Sequence, residues 1–192
     1  MIKDVKITNT RVLADDYYTL NKITYQFTKP DGSVVSQSRE AYDRGNGAVI
    51  LLYNKQKQSV ILTRQFRLPT YINGNADGMM IEACAGMLDN DDPQGAIRRE
   101  TEEETGYKVT DVKKVFEAYM SPGAVTEILY FFVAEYSQDM KVSEGGGQEQ
   151  EEENIDVLEL GIDEAMEMMK TGEIKDAKTI MLLQYVKLHN IL

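Results

Sequence analysis

The sequence predicts an α/β fold, a mixed sheet flanked by helices, with an antiparallel β subdomain at its N-terminus. Three features point to it. Strand-like and helix-like segments interleave through most of the chain. An Asp-Gly turn, Asp31-Gly32, joins two short runs near the start, which is a strong hairpin signal. A cluster of turn formers, Asp43-Arg44-Gly45-Asn46-Gly47, separates that hairpin from the rest of the chain. A chain of 192 residues with 42% hydrophobic content is long and apolar enough to bury one substantial core.

Residues 21–28 alternate around Ile23, Tyr25 and Phe27, and residues 33–39 form the returning strand across Lys29-Pro30-Asp31-Gly32. The turn-rich break divides the chain into an N-terminal β subdomain, 1–43, and a larger domain, 44–192. Stronger strands are expected over 48–53 and 59–66, joined by the polar loop 54–58, and another over 79–85. A loop over 86–93 leads into a helix that Asp91 or Asp92 can cap, with Pro93 suited to its first turn and Gly106 to its end. Residues 112–119 and 128–136 have strand character, and the second run is almost continuously apolar, as a central strand requires. Residues 137–154 are polar, with Gly145-Gly146-Gly147 ahead of a Glu and Gln run, and are expected to form a mobile surface loop. A strand over 155–160 and helices over 163–170 and 176–189 close the chain, with Met166, Met168 and Met169 as helix core or interface.

Charge narrows the function. A net charge of −11 argues against a nucleic-acid partner, because sequence-independent affinity for a phosphate backbone comes from Lys and Arg. Acidic residues serve anionic ligands by another route, holding a divalent cation that bridges carboxylates to phosphate oxygens. No stretch approaches the roughly 20 apolar residues of a membrane span, and Met1-Ile2-Lys3-Asp4-Val5 lacks a signal-peptide apolar region. The lone cysteine, Cys84, cannot form an internal disulfide, so a cytoplasmic protein without a membrane partner is expected. With no histidine near it in sequence, Cys84 is expected to be a small buried residue, and the only histidine, His189, stands near the C-terminus.

On the helix after Pro93, Glu100, Glu103 and Glu104 stand at i, i+3 and i+4 and share one face, while Glu102 points roughly the other way. Like charges so close disfavour the helix unless a cation sits among them. Spacing alone leaves two readings open: a metal stripe, or a surface helix neutralised by Arg98 and Arg99.

Taken together, Gly86, Asp92, Arg99-Glu100, Glu103-Glu104 and Gly106-Tyr107 resemble the Nudix box, Gly-x5-Glu-x7-Arg-Glu-U-x-Glu-Glu-x-Gly-U, with U a bulky apolar residue. Asp92 stands for its first Glu, Thr101 for its first U, and one residue is missing between Asp92 and Arg99. The resemblance implies an α/β/α sandwich of Nudix type and hydrolysis of a nucleoside diphosphate linked to another group. It implies Mg²⁺, with Mn²⁺ as a substitute, held by Glu100, Glu104, the Ala85 carbonyl and, from the same face, Glu103. Arg99 is then expected to orient a box carboxylate.

Pro122, sixteen residues after Gly106, looks like the mark of the branch acting on ADP-ribose and nucleotide sugars. Tyr42-Asp43-Arg44-Gly45-Asn46-Gly47, Arg64-Gln65-Phe66-Arg67, Leu88-Asp89-Asn90-Asp91, Tyr119-Met120-Ser121-Pro122-Gly123 and Lys170-Thr171-Gly172-Glu173-Ile174 resemble the bacterial GDP-mannose pyrophosphatase family. That resemblance implies substrate contacts at Tyr17, Arg39, Glu40, Arg67, Gly86, Glu127 and Lys178, with Ser38 replacing a basic residue. It also implies a general base or late metal ligand on the acidic loop, and counting back from Ile155-Asp156-Val157 selects Glu153, with Glu152 beside it. The resemblance further implies a homodimer in which the N-terminal subdomain helps to complete the partner's site. The expected function is therefore cation-dependent cleavage of GDP-mannose to GMP and mannose 1-phosphate. ADP-ribose hydrolysis is the alternative, and a non-catalytic nucleotide-sugar-binding module is a third reading.

Overall fold

The Asp31-Gly32 turn closes its hairpin by local chemistry. Gly32 takes φ 84° at no steric cost, Lys29 N–H donates to the Ser33 carbonyl at 2.8 Å, and the Asp31 carboxylate accepts from the Ser33 N–H at 2.9 Å. The hairpin strands, β2 (Thr19–Thr28) and β3 (Val34–Asp43), are joined by a long first strand, β1 (Lys3–Asp15), in the antiparallel order β1-β2-β3. In this computed structural model the described residues are 1–88, 91–147 and 154–192. They divide into two units, Met1–Asn46 with Tyr119–Ile128, and Gly47–Ala118 with Leu129–Leu192.

In the larger unit, β4 (Gly47–Asn54) and β5 (Ser59–Phe66) are the expected pair, with a short helix α1 (Leu68–Ile72) after them that periodicity does not announce. Next come β6 (Met79–Glu82), β7 (Cys84–Met87), helix α2 (Pro93–Thr105), β8 (Lys113–Tyr119) and β9 (Ile128–Glu135). β10 (Asp156–Gly161), α3 (Ile162–Thr171) and α4 (Ala177–Leu188) complete the chain. The sheet runs β10-β5-β4-β9-β8, with β4 and β9 parallel and β4 antiparallel to β5, so it is mixed. β9 lies inside it, as its apolar run requires.

β4 is buried on both faces, Ala48 to Leu52 being at most 1% exposed. Ala48, Ile50 and Leu52 share a core cluster with Ile97 of α2, while α4 also packs on β4 and buries Leu182, Leu183 and Val186. Alternation along the strand then puts the two helices on opposite faces, giving helix, sheet and helix in layers.

One expectation is corrected. Residues 79–85 form two strands, because β4 and β5 are paired only at Leu52–Asn54 and Ser59–Ile61, so the returning chain bonds first to β5 and then to β4. At the changeover, Ala83 donates its N–H to Thr179 Oγ1 of α4 at 2.7 Å, which satisfies a buried group that has left the ladder. The polar loop is described as far as Gly147, and its glycines bond to the end of α2. Gly146 N–H donates to the Glu104 carbonyl at 2.9 Å and Gly147 N–H to the Glu103 carbonyl at 3.2 Å, so the glycines satisfy carbonyls that the last turn of α2 leaves open.

Gly145, Gly146 and Gly147 all have positive φ, and a Cβ on Gly145 would lie 2.5 Å from the Glu104 carbonyl oxygen. The nearest atom to a Cβ on Gly146 is 3.7 Å away. Gly145→Ala is therefore expected to cost about 2–4 kcal/mol, backbone strain plus overlap, and Gly146→Ala about 1–2 kcal/mol of strain alone. Urea unfolding of the two variants checks this, and equal midpoints would rule out the close docking.

Candidate active site

Helix α2 begins where its sequence says. Asp92 Oδ1 accepts from Gln94 N–H at 3.0 Å and Gly95 N–H at 3.1 Å, Pro93 opens the first turn, and Gly106 ends the helix in the left-handed region at φ 78°. Asp92, the counterpart of the first box glutamate, thus spends its carboxylate on the cap. Thr101 is fully buried at an expected apolar position, and its hydroxyl donates to the Ile97 carbonyl at 2.5 Å. That back-bond satisfies the hydroxyl and lets threonine stand where an aliphatic residue is expected.

The three glutamates of interest share the helix face toward β7. The Glu100 and Glu103 side chains are 18% and 28% exposed, and residue Glu104 is 4% exposed. Arg99 joins two of them, its Nη1 donating to Glu100 Oε1 at 2.8 Å and to Glu103 Oε2 at 3.4 Å. Glu102 pairs instead with Lys108 at 3.4 Å. A Cβ on Gly86 would overlap the Glu100 carboxyl end, so Glu100 lies directly against β7 because residue 86 has no side chain. Two residues back, the buried Cys84 thiol lies close to the Glu104 carboxylate. Burial first, then the Glu104 and Glu100 charges, push its thiol well above the ordinary range, so Cys84 stays neutral and is no nucleophile. Ala85, paired with Val49 of β4, lies between those two contacts.

These donors suit a hard divalent cation. Among the described residues no three His, Cys, Asp or Glu side chains form a ready metal cage. A Mg²⁺-type ion does not need one, since it commonly takes one or two carboxylates and completes its shell with water and substrate phosphate. Two converging glutamates beside a main-chain segment stripped of its side chain fit that donor set, and no soft ligand is among them but a protonated thiol.

Arg67 and Lys178, expected to contact substrate, meet on a residue the sequence does not single out. Glu82 Oε2 accepts from Arg67 Nε at 2.7 Å, and Glu82 Oε1 from Lys178 Nζ at 2.5 Å. Lys178 also donates to Asp176 Oδ1 at 2.9 Å, while Asp176 Oδ2 caps α4 through the Thr179 N–H. Burial pushes the Glu82 carboxyl up, but Lys178 and Arg67 more than offset it and hold it below the ordinary range. Lys178 is raised because Glu82 and Asp176 outweigh its burial. A lone glutamate within Met79-Met80-Ile81-Glu82-Ala83-Cys84-Ala85 was the available signal, because a charge in an apolar strand needs a partner.

The remaining substrate candidates lie in the other unit. Tyr17, 87% exposed, stands in the bend between β1 and β2 with its ring edge on Tyr18. Arg39 and Glu40 are exposed on β3, opposite Ile23 and Lys22, and Ser38 hydrogen-bonds Thr24 at 2.9 Å. Glu127 is paired with Arg44 at 3.6 Å. Glu152 and Glu153 lie outside the described residues.

Comparison with known proteins bears on both units. Residues 4–42 match the model of the GDP-mannose pyrophosphatase NudK N-terminal domain, and residues 43–183 match the NUDIX domain. The chain is 53% identical over 192 residues to a GDP-mannose pyrophosphatase of Shigella flexneri, covering all of both chains. It is 52% identical, again over the full length of both, to a GDP-mannose pyrophosphatase of Escherichia coli O157:H7. A solved structure described as an ADP compounds hydrolase superposes with a TM-score of 0.73 over 99% of this chain and 98% of its own, at 18% identity, and so shares the fold.

Proposed function

The chain belongs to the Nudix family and is a pyrophosphatase hydrolase, and from that premise we propose that it cleaves GDP-mannose, or a close nucleotide sugar, to GMP and mannose 1-phosphate. The observation that carries the reading is the convergence of Glu100 and Glu104 on the Cys84–Met87 strand, with Arg99 bonded to Glu100 and Glu103. Full-length similarity to GDP-mannose pyrophosphatases, N-terminal domain included, supports the choice of substrate.

Nudix hydrolases generally use a divalent metal, and here we take it to be Mg²⁺, with Mn²⁺ able to substitute. Glu100, Glu104 and the Ala85 carbonyl hold it, joined by Glu153. When bound, the ion neutralises phosphate oxygens and eases deprotonation of the attacking water. Arg99 keeps the Glu100 and Glu103 carboxylates oriented, and Arg67 offers a planar fork to two phosphate oxygens. Glu153, or Glu152 beside it, takes the proton as water oxygen bonds to phosphorus, and the bridging P–O bond breaks toward the leaving phosphate.

Two copies are proposed to act together in the cytoplasm. Every residue of β1 is exposed, among them Val5, Ile7, Val12 and Leu13, which leaves a long apolar-bearing edge for a second copy to cover. Tyr17, Arg39 and Glu40 of one copy then complete the site of the other. No helix among the described residues is long and apolar enough to cross a membrane.

The test is a substrate panel with the purified protein. GMP release from GDP-mannose is expected with Mg²⁺ and is expected to vanish in excess chelator, with kcat/KM at least about tenfold above that for ADP-ribose. Full activity in chelator would sink the metal reading. A preference for ADP-ribose would replace the substrate, and tight binding of uncleaved GDP-mannose would make this a binding module.

A further inference from the structure

We propose that Glu82 is the positioning residue of an anion clamp, holding Arg67 by Nε and Lys178 by Nζ so that the guanidinium offers its two Nη groups, already oriented, to a substrate phosphate. The proposal deepens the function proposed for this site, since it takes Arg67 to be a phosphate contact.

The bonding pattern carries it. A guanidinium has five N–H donors on three nitrogens, and Glu82 engages Nε, which closes the side-on fork and leaves the end-on pair of Nη groups for a two-point grip on phosphate. Among the described residues neither Nη has a hydrogen-bond partner. The exposures are graded to match. The Glu82 side chain is 6% exposed, Lys178 14% and Arg67 41%, so the cluster buries its anion and shows solvent mainly the guanidinium.

Glu82 is itself firmly placed. Its carbonyl accepts from Thr63 Oγ1 at 3.2 Å and the next N–H is held by Thr179, so the backbone is gripped on both sides just where β6 passes over to β7. Lys178 is held at a second point by Asp176, leaving one ammonium proton for a ligand. The formal charges of Arg67, Lys178, Glu82 and Asp176 cancel, so a phosphate is met by a neutral, pre-paired cluster whose most exposed member is the guanidinium. The ion pair with Glu82 removes part of the rotational freedom that Arg67 would otherwise lose on binding, which favours substrate binding over the chemical step.

Hydrolysis of GDP-mannose by Glu82→Gln, Arg67→Ala and the double variant tests this, each first matched to the wild-type circular-dichroism spectrum. Glu82→Gln is expected to raise KM about tenfold or more with kcat within about threefold, and to add little to Arg67→Ala, because it acts through that residue. A purely structural glutamate would lower Tm without moving KM. An unchanged KM in Glu82→Gln beside a raised KM in Arg67→Ala, or fully additive effects, overturns the positioning role and leaves the site reading standing. An unchanged KM in Arg67→Ala removes Arg67 from the substrate site and the proposal with it. Where Glu82→Gln does not fold, Glu82→Asp carries the same comparison, keeping the charge and withdrawing the carboxylate by one methylene.

Discussion

Replacing Glu104 with glutamine is expected to lower kcat by about 10²–10³ while the fold holds or gains stability. The opposite signs come from one charge. Glu104 is buried, stands on the last turn of α2 where the helix dipole disfavours an anion, and shares its face with Glu100 and Glu103. Without a cation, its charge works against the helix. Glutamine keeps the volume, keeps a carbonyl oxygen beside the Cys84 thiol, and removes that repulsion. What it cannot do is balance a divalent ion. The wild type should therefore gain Tm on adding Mg²⁺, as any ligand that binds only the native state stabilises it, and Glu104→Gln should lose most of that gain. Thermal melts with and without Mg²⁺, run beside kcat, separate this from simple unfolding. A variant with wild-type kcat, or one whose Tm still climbs with Mg²⁺ as the wild type's does, would remove Glu104 from the metal site.

Gly86→Ala should have an effect nearly as large from the opposite side of the same contact. The added Cβ would overlap the Glu100 Cγ and Cδ and lie 2.6 Å from its Oε2. The obstructed atoms are the free end of a side chain, so Glu100 can swing away and the fold is expected to lose no more than about 1–2 kcal/mol. The carboxylate is then no longer against β7. A displacement of about an ångström at a catalytic group commonly costs on the order of 10²-fold in rate, and that is the loss expected in kcat. Should Gly86→Ala turn over substrate at the wild-type rate, the seating of Glu100 on the strand would have no catalytic meaning.

Legibility from sequence followed the range of the interactions. Asp92, Pro93 and Gly106 announced α2 because caps act within one turn, and with the ends set, the shared face of Glu100, Glu103 and Glu104 followed from 3.6 residues per turn. β9 was legible as an interior strand because burial on both faces leaves an unbroken apolar run. The division of residues 79–85 was not, since each half is apolar and only the divergence of β4 from β5 decides where the chain changes partner. The docking of Gly145-Gly146-Gly147 was not legible either, for the same kind of reason. Glycine permits both a free loop and a tightly docked one, and the choice depends on carbonyls at Glu103 and Glu104, some forty residues away.

By itself, then, the sequence determined the helix register, the hairpin, the order of the elements and the family, all written in spacings of a few residues. Tertiary structure alone decided what those pieces face: Glu104 against Cys84, Glu100 against a bare Gly86, and Glu82 between Arg67 and Lys178. Lys178 is 96 positions from Glu82, and no local pattern encodes such a pair. It forms because α4 packs on the sheet beside the end of β6, where Ala83 bonds to Thr179, and this brings the two side chains together where a desolvated carboxylate must find its cations.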